Sequence, residues 1–322
     1  MSRQQTFLVT GATGFIGSAL IEHLASQTNS RVMALVRQDR VVLPEHVVPI
    51  RVDADYLADG DLPISAVQVL IHCAARVHVM ADRSSDPLAE FRKVNVVGTL
   101  RLAEQAARAG VRRFIFISSV KVNGEGTPRG KAYTADDVPA PVDAYGISKM
   151  EAEQQLILLG QSTGMEIVII RPVLVYGPGV KANFRSMMSW LNKGIPLPLG
   201  AIHNQRSLVA LDNLVDLIVT CLDHPAAANQ TFMVSDGDDM STTELLTRMG
   251  VALDKPARLI PVSAALLLKG ASMLGRKAVA QRLCGSLQVD IRKTRELLGW
   301  KPPSTVKQAL SKTAKSFQGS LK

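Results

Sequence analysis

The chain has 322 residues, 47% hydrophobic and 20% charged, a balance that excludes a disordered or collagen-like protein. Its formal net charge is +9, yet Lys and Arg are scattered without a basic tract and aromatic residues make up only 4%, poor material for a base-stacking surface, so no nucleic-acid partner is expected. No apolar run reaches the ~18 residues of a membrane span, and Cys73, Cys221 and Cys284 lack the spacing of a disulfide framework or a zinc site. The opening residues show no signal-peptide core, which makes the reduced cytoplasm the expected home and leaves no integral membrane segment.

Taken in order, the segments TFLVT, RVMALV, VVPIRV, VQVLIHC, RFIFISS and EIVIIRP are short, continuous and rich in β-branched residues, the signature of parallel strands buried on both faces. Helical patterns separate them, among them GFIGSALIEHLASQ and AEFRKVNVVGTLRLAEQAARAG, the second ending at Gly110. This alternation predicts right-handed crossovers and an α/β, doubly wound parallel sheet of the Rossmann kind. After Pro172 the pattern breaks at Gly177, Pro178, Gly179, Pro196 and Pro198, which predicts a smaller mixed lobe. SLVALDNLVDLIVTCLDHP and QTFMVSDG then read as a helix and strand returning to the sheet, and the tail from about Met240 is mainly helical. The expected division is a dinucleotide-binding domain of residues 1–172 plus about 206–235, and a substrate lobe of about 173–205 plus 236–322. Within that tail VSAALLLKGASMLG reads as a buried or interface helix.

The first loop, FLVTGATGFIGSAL, sets Gly11, Gly14 and Gly17 between a predicted strand and the opening of a helix. Glycine permits a tight turn and close approach of backbone to a pyrophosphate, and the helix N-terminus favours its negative charge. Thr13, Phe15 and Ile16 complete this cradle for a nicotinamide dinucleotide. Twenty residues beyond Gly17, where NAD binders carry an acid for the ribose hydroxyls, stands Arg37, with Arg40 and Asp39 nearby. An arginine suits a 2′-phosphate, so NADP(H) is favoured and NAD(H) is the alternative. Asp53, with Asp55 as rival, is the candidate for the adenine amino group.

The fifth strand ends in Ser118 and Ser119, and VDAYGISKMEAEQQL places Tyr145 and Lys149 four apart, on one face of a helix. A phenol of pKa ~10 is a poor proton carrier near neutrality. A nearby ammonium and the cofactor's positive ring both favour phenolate and lower that value, and a serine hydroxyl orients the sugar or alcohol oxygen that exchanges the proton. His72 reads as a packing residue at a strand end.

With these residues in place the chain resembles the extended short-chain dehydrogenase/reductases, in the NAD-dependent epimerase/dehydratase branch that acts on nucleotide sugars. TGATGFIG, HCAA, VNVVGT, ISS, YGISK, RPVLVYGPG and RSLVALDNLVD carry the likeness over nearly the whole length. The resemblance implies Ser119 as the catalytic serine, Tyr145 as acid and base, and Lys149 on the nicotinamide ribose. It adds Ala74, Ala75, Asn95 and Pro172 to the cofactor site. For the substrate it implies Arg206 and Asn183 near the diphosphate, together with Lys121 and, more weakly, Arg282, with Arg276 and Arg292 as alternatives. Val120 and Lys121 stand where dehydratases carry Asp-Glu, and Asn123-Gly124 where 4-epimerases usually carry Tyr-Gly. The chain is most similar to the bacterial subgroup linked to O-antigen and lipopolysaccharide biosynthesis. The expected function is therefore an NADPH-dependent 4-keto reductase of a UDP-linked 2-acetamido-6-deoxyhexose. Two alternatives are a UDP-N-acetylglucosamine type 4-epimerase with tightly held NAD and a non-catalytic dinucleotide sensor. The resemblance also implies a homodimer through the helix that bears Tyr145 and Lys149.

Overall fold

A computed structural model of the chain describes residues 5–27, 30–37, 41–52, 62–77, 86–275 and 277–321. The apolar runs form β1 (Gln5–Thr10), β2 (Ser30–Val36), β3 (Val48–Arg51), β4 (Val69–His72), β5 (Arg113–Ile117) and β6 (Glu166–Pro172). A short parallel pair follows, β7 (Leu174–Tyr176) with β8 (Leu208–Ala210), and then β9 (Gln230–Val234). The main sheet is parallel throughout and runs β3-β2-β1-β4-β5-β6-β9. Its order reverses at β1, and that reversal opens a crevice outside the carboxyl ends of β1 and β4.

Both faces of the sheet are covered, as the continuous apolar strands require. Phe7, Val9, Val32 and Ala34 point to one face, where they meet Leu20 and Leu24 of α1 (Phe15–Ala25). The intervening Leu8, Met33 and Leu35 point to the other. There they share a core with Phe114 and Phe116, and with Leu102 and Ala106 of the helix after β4. That helix begins as α2 (Pro87–Arg92), passes through a π-helical turn at Lys93–Gly98 and continues as α3 (Thr99–Arg108). The same face receives Ala152 and Leu156 of α4 (Ala144–Thr163). Asp143 caps α4 by accepting the Gly146 N–H at 2.7 Å, and Gly164 ends it with φ 77°, a left-handed turn that glycine adopts without penalty.

A second core forms beside the sheet. Tyr176 of β7 packs there with residues of α5 (Ala182–Asn192), and α6 (Leu211–Asp223) returns the chain to the sheet. After β9 come α7 (Thr242–Ala252), α8 (Ala264–Met273), α9 (Lys277–Cys284), α10 (Arg292–Leu298) and α11 (Val306–Gly319). Phe184, Met188, Leu246, Met249 and Leu310 fill this second core. Of the two expectations for this stretch, a buried or an interface helix, the first is not met, since no residue of α8 reaches the interior. Only Ala264 and Leu267 of the helix lean on the second core, while Leu266 and Met273 face outward.

Candidate active site

At the end of β1 the chain turns through Gly11, whose φ of 66° belongs to the left-handed region. The Gly14 N–H donates to the Gly11 carbonyl at 2.8 Å, which closes the loop onto the start of α1. A Cβ on Gly11 would stand 2.7 Å from the Ala74 nitrogen, and one on Gly17 would stand 2.2 Å from the Gly11 carbonyl oxygen. Neither position tolerates a side chain, so bare backbone lines the crevice at this point. A groove of about 310 Å³ runs beside it, lined by Gly11, Thr13, Arg37, Ala74 and Ala75. Thr13 and Gly14 are exposed, and Phe15 and Ile16 are half-buried. This cradle of glycine backbone at a helix N-terminus fits a dinucleotide pyrophosphate. Arg37 stands exposed at the end of β2, at the wall of the groove. Asp53, Asp55, Asp39, Arg40 and Arg276 lie outside the described residues.

Tyr145 and Lys149 occupy the first turns of α4, and Ser119 lies in the loop after β5. A Cβ on Gly146 would meet the Lys121 carbonyl oxygen at 2.7 Å, so glycine beside the tyrosine lets α4 approach the serine loop closely. The Ser119 hydroxyl accepts the Lys121 N–H at 3.2 Å and lies beside the Tyr145 phenol, where it favours the ionised form. Phe91 of α2 sits against the tyrosine ring edge-on at 6.0 Å. Lys149 is 1% exposed, a full ammonium-bearing side chain inside the molecule. Its Nζ donates to the Ile117 carbonyl at 2.8 Å and stands 4.2 Å above the centre of the Phe116 ring.

These surroundings set the proton affinities. Burial lowers Lys149 to about 7, partly offset by the carboxylate of Glu153. The expected lowering of Tyr145 by the lysine is not what the geometry produces. Burial, with Asp143 adding to it, pushes the phenol up to about 12, and the neighbouring Ser119 hydroxyl only tempers the rise. The physical reason is that the Lys149 ammonium is directed at a carbonyl and an aromatic face. His72 is buried between Thr10, 2.7 Å from its Nδ1, and Thr99, 3.0 Å from its Nε2, and lies parallel to Phe116. Burial and the neighbouring Lys149 depress it to about 3, so it is neutral and packs, as the sequence suggested.

Below the tyrosine and lysine lies a polar layer that the sequence reading missed. Glu153 is one further turn along the face that carries Tyr145 and Lys149. Its carboxylate accepts the Ser118 hydroxyl and takes both Nε and Nη2 of Arg171, the latter at 2.5 Å. Arg171 Nη1 donates to Asn123 Oδ1 at 3.0 Å, and Asn123 Nδ2 donates to the Thr134 carbonyl at 3.1 Å. All four side chains are buried. The repeated spacing of four from Tyr145 through Lys149 to Glu153 was the available signal.

The other expected residues are more dispersed. Asn95, in the π-helical turn, is fully engaged, accepting from the Arg76 N–H at 2.8 Å and donating to the Arg76 carbonyl and the Ser148 hydroxyl, each at 3.0 Å. It thereby fixes the segment after Ala75 against α4. Pro172 is buried at the end of β6. Lys121 pairs with Glu125 at 3.0 Å and with Asp143, the cap of α4. Asn183 is exposed in the first turn of α5. The Arg206 guanidinium is half-buried and donates to the Arg282 carbonyl at 2.7 Å and to the Gly285 carbonyl at 3.3 Å, while the Arg282 side chain is exposed. Arg292 pairs with Asp290 at 2.6 Å. Among the described residues no group of acids, histidines and cysteines could hold a metal ion.

A model of the NAD dependent epimerase/dehydratase family matches residues 7–235. The chain is 49% identical to a UDP-glucose 4-epimerase of Vibrio cholerae over 315 residues, which is 97% of this chain and 95% of the relative. Among solved structures it is similar to a UDP-glucose 4-epimerase of Thermotoga maritima with UDP-glucose, at TM-score 0.78 and 22% identity over 99% of this chain and 100% of that one. It is also similar to RMD from Pseudomonas aeruginosa complexed with NADPH, at TM-score 0.75 and 22% identity over 98% and 100% of the two chains. With the glycine cradle and the Ser119, Tyr145 and Lys149 cluster already in place, the chain belongs to the NAD dependent epimerase/dehydratase family, as a nucleotide-sugar enzyme of the extended short-chain dehydrogenase kind that takes a nicotinamide dinucleotide.

Proposed function

We propose that the chain is a UDP-sugar 4-epimerase that keeps its dinucleotide through a closed redox cycle. The observation that carries this reading is the 49% identity, over almost the whole of both chains, to a UDP-glucose 4-epimerase. It reverses the order of the sequence reading, which put a 4-keto reductase first. The link of the resembled subgroup to O-antigen sugars makes UDP-N-acetylglucosamine the first substrate to try beside UDP-glucose.

In this proposal Gly11, Thr13, Gly14, Phe15, Ile16 and Gly17 hold the pyrophosphate, Arg37 meets the adenosine end, and Ala74 and Ala75 line the wall kept in place by Asn95. When bound, the nicotinamide supplies the hydride acceptor and donor. Tyr145 takes the proton from the sugar O4 as the C4–H bond breaks, and returns it after the keto sugar has presented its other face. Ser119 holds the same oxygen by hydrogen bond, and Lys149 binds the ribose. Arg206, a guanidinium fork suited to diphosphate geometry, and Asn183 hold the nucleotide. Residues 1–172 with about 206–235 form the cofactor-binding part and the remainder the substrate lobe. The protein works as a homodimer in the cytoplasm.

A second reading, reduction of a 4-keto UDP-sugar by NADPH, is favoured by two observations. Arg37 follows β2 with no carboxylate among residues 30–37, and Tyr145 is held protonated at neutral pH, ready to donate. The test is to identify the nucleotide released from the freshly purified, denatured protein and to incubate UDP-N-acetylglucosamine and UDP-glucose without added cofactor. Bound NAD near one per chain together with the 4-epimer supports the epimerase. No epimer, with NADPH consumed on a 4-keto UDP-sugar, replaces it by the reductase.

A further inference from the structure

The segment 255–289 contains no Asp or Glu and six Lys or Arg, so 35 residues supply +6 of the chain's +9. It includes α8, which is apolar all round except for Lys269 and Ser272. A helix of that composition normally has cover on every side. In this fold only one side is covered: Ala264 and Leu267 lean on the second core, with Leu283 and Cys284 of α9 beside them. On the outer side Met273 is 89% exposed, Leu274 77%, Leu266 64% and, on α9, Val279 55%. Lys269 lies between Leu266 and Met273 on that outer face, three residues from one and four from the other, and Arg282 follows Val279 by three.

We infer that the α8–α9 hairpin seats on an anionic phospholipid surface, as a peripheral contact that lays its apolar side chains at the headgroup boundary. No helix among the described residues is long and apolar enough to cross a membrane, so the contact lies on the surface. The combination of exposed Leu and Met with basic side chains and no acids is what such a surface recognises, by apolar burial and by attraction to negative lipid. A second copy of the chain is the poorer occupant. An isologous pairing through this face would set Lys269 and Arg282 of one copy against the same residues of the other, with no acidic residue in the segment to relieve them. The Arg282 and Gly285 carbonyls that hold Arg206 belong to the same stretch, so the surface contact is directly continuous with that arginine.

Vesicle flotation tests this with the full chain, using phosphatidylcholine vesicles with and without phosphatidylglycerol, at low and high salt. The chain is expected to float with the phosphatidylglycerol vesicles and to stay behind with phosphatidylcholine alone. High salt weakens binding, because each basic residue near such a surface contributes roughly fivefold at low ionic strength. Met273→Asp with Leu274→Asp, and separately Lys269→Glu, should reduce flotation, about tenfold or more for the first, while leaving the melting temperature unchanged. Absence of flotation overturns the inference, as does equal flotation of the variants. So does loss of a self-associated state in the double variant without any vesicle binding, since that outcome assigns the face to a second copy. None of these readouts depends on which sugar reaction the chain performs.

Discussion

Beneath Tyr145 the chain buries an ammonium, a carboxylate and a guanidinium among apolar strands, whereas on α8 it leaves leucine and methionine in contact with solvent. Each region inverts the ordinary segregation, in opposite directions. Inside, the inversion is tolerated because every charge has partners. Glu153 takes a bidentate arginine and a serine, and Lys149 has a carbonyl and an aromatic face. Outside, none of the described residues covers the apolar side chains, and Leu266 and Met273 stay in contact with solvent. Buried charge is costly to leave unpaired, while an exposed apolar side chain costs the folded state little. The two regions therefore respond to substitution in opposite ways.

The largest expected effect is on chemistry. Tyr145→Phe should lower turnover by about 10²–10⁴-fold, the range for removal of a positioned acid–base group, with secondary structure unchanged in circular dichroism. Next comes the floor of the site. Glu153→Gln leaves Arg171 buried without its counter-charge and should cost about 3–5 kcal/mol in urea unfolding, whereas Glu153→Met with Arg171→Met should cost less because no charge is stranded. If the double variant is the less stable, the polar layer is not an ion pair in the sense used above.

A pH profile sharpens the same point. Glu153 raises the Lys149 pKa against burial, so losing its charge should lower that value below about 7. Turnover that needs the ammonium form falls as pH rises through the lysine pKa, and its midpoint should therefore move to lower pH in Glu153→Gln. An unmoved midpoint would make Glu153 purely structural. The smallest effect belongs to the outer region. Leu266→Gln should change stability by no more than about 0.5 kcal/mol, against about 2–5 kcal/mol for Leu8→Ala, which empties a fully buried position in β1.

Much of the fold could be read in advance because parallel strands covered on both faces leave an unbroken apolar record. TFLVT and RFIFISS are examples, and both lie inside the sheet as expected. The glycine loop was equally legible, since only backbone fits where Gly11 meets Ala74. What could not be read was partnership over long sequence distance. Arg171 stood near the end of the predicted strand EIVIIRP and Asn123 where 4-epimerases usually carry tyrosine, and the parallel pairing of β5 with β6 brings them beside Glu153. The π-helical turn at Lys93–Gly98 also left no mark, because its extra residue per turn does not disturb a pattern already rich in valine. The apolar run at α8 was visible, but composition alone does not say which face is covered.

The burial of Lys149 has a practical consequence for chemical labelling. The low pKa of Lys149 belongs to the buried amine, so an opening that admits an acylating reagent returns it to the ordinary lysine range of about 10.4. Being 1% exposed, it meets no reagent while α4 stays docked on β5. Its acylation rate, followed by peptide mass, would thus count the openings of that one helix and clock a local motion that leaves the rest of the sheet intact.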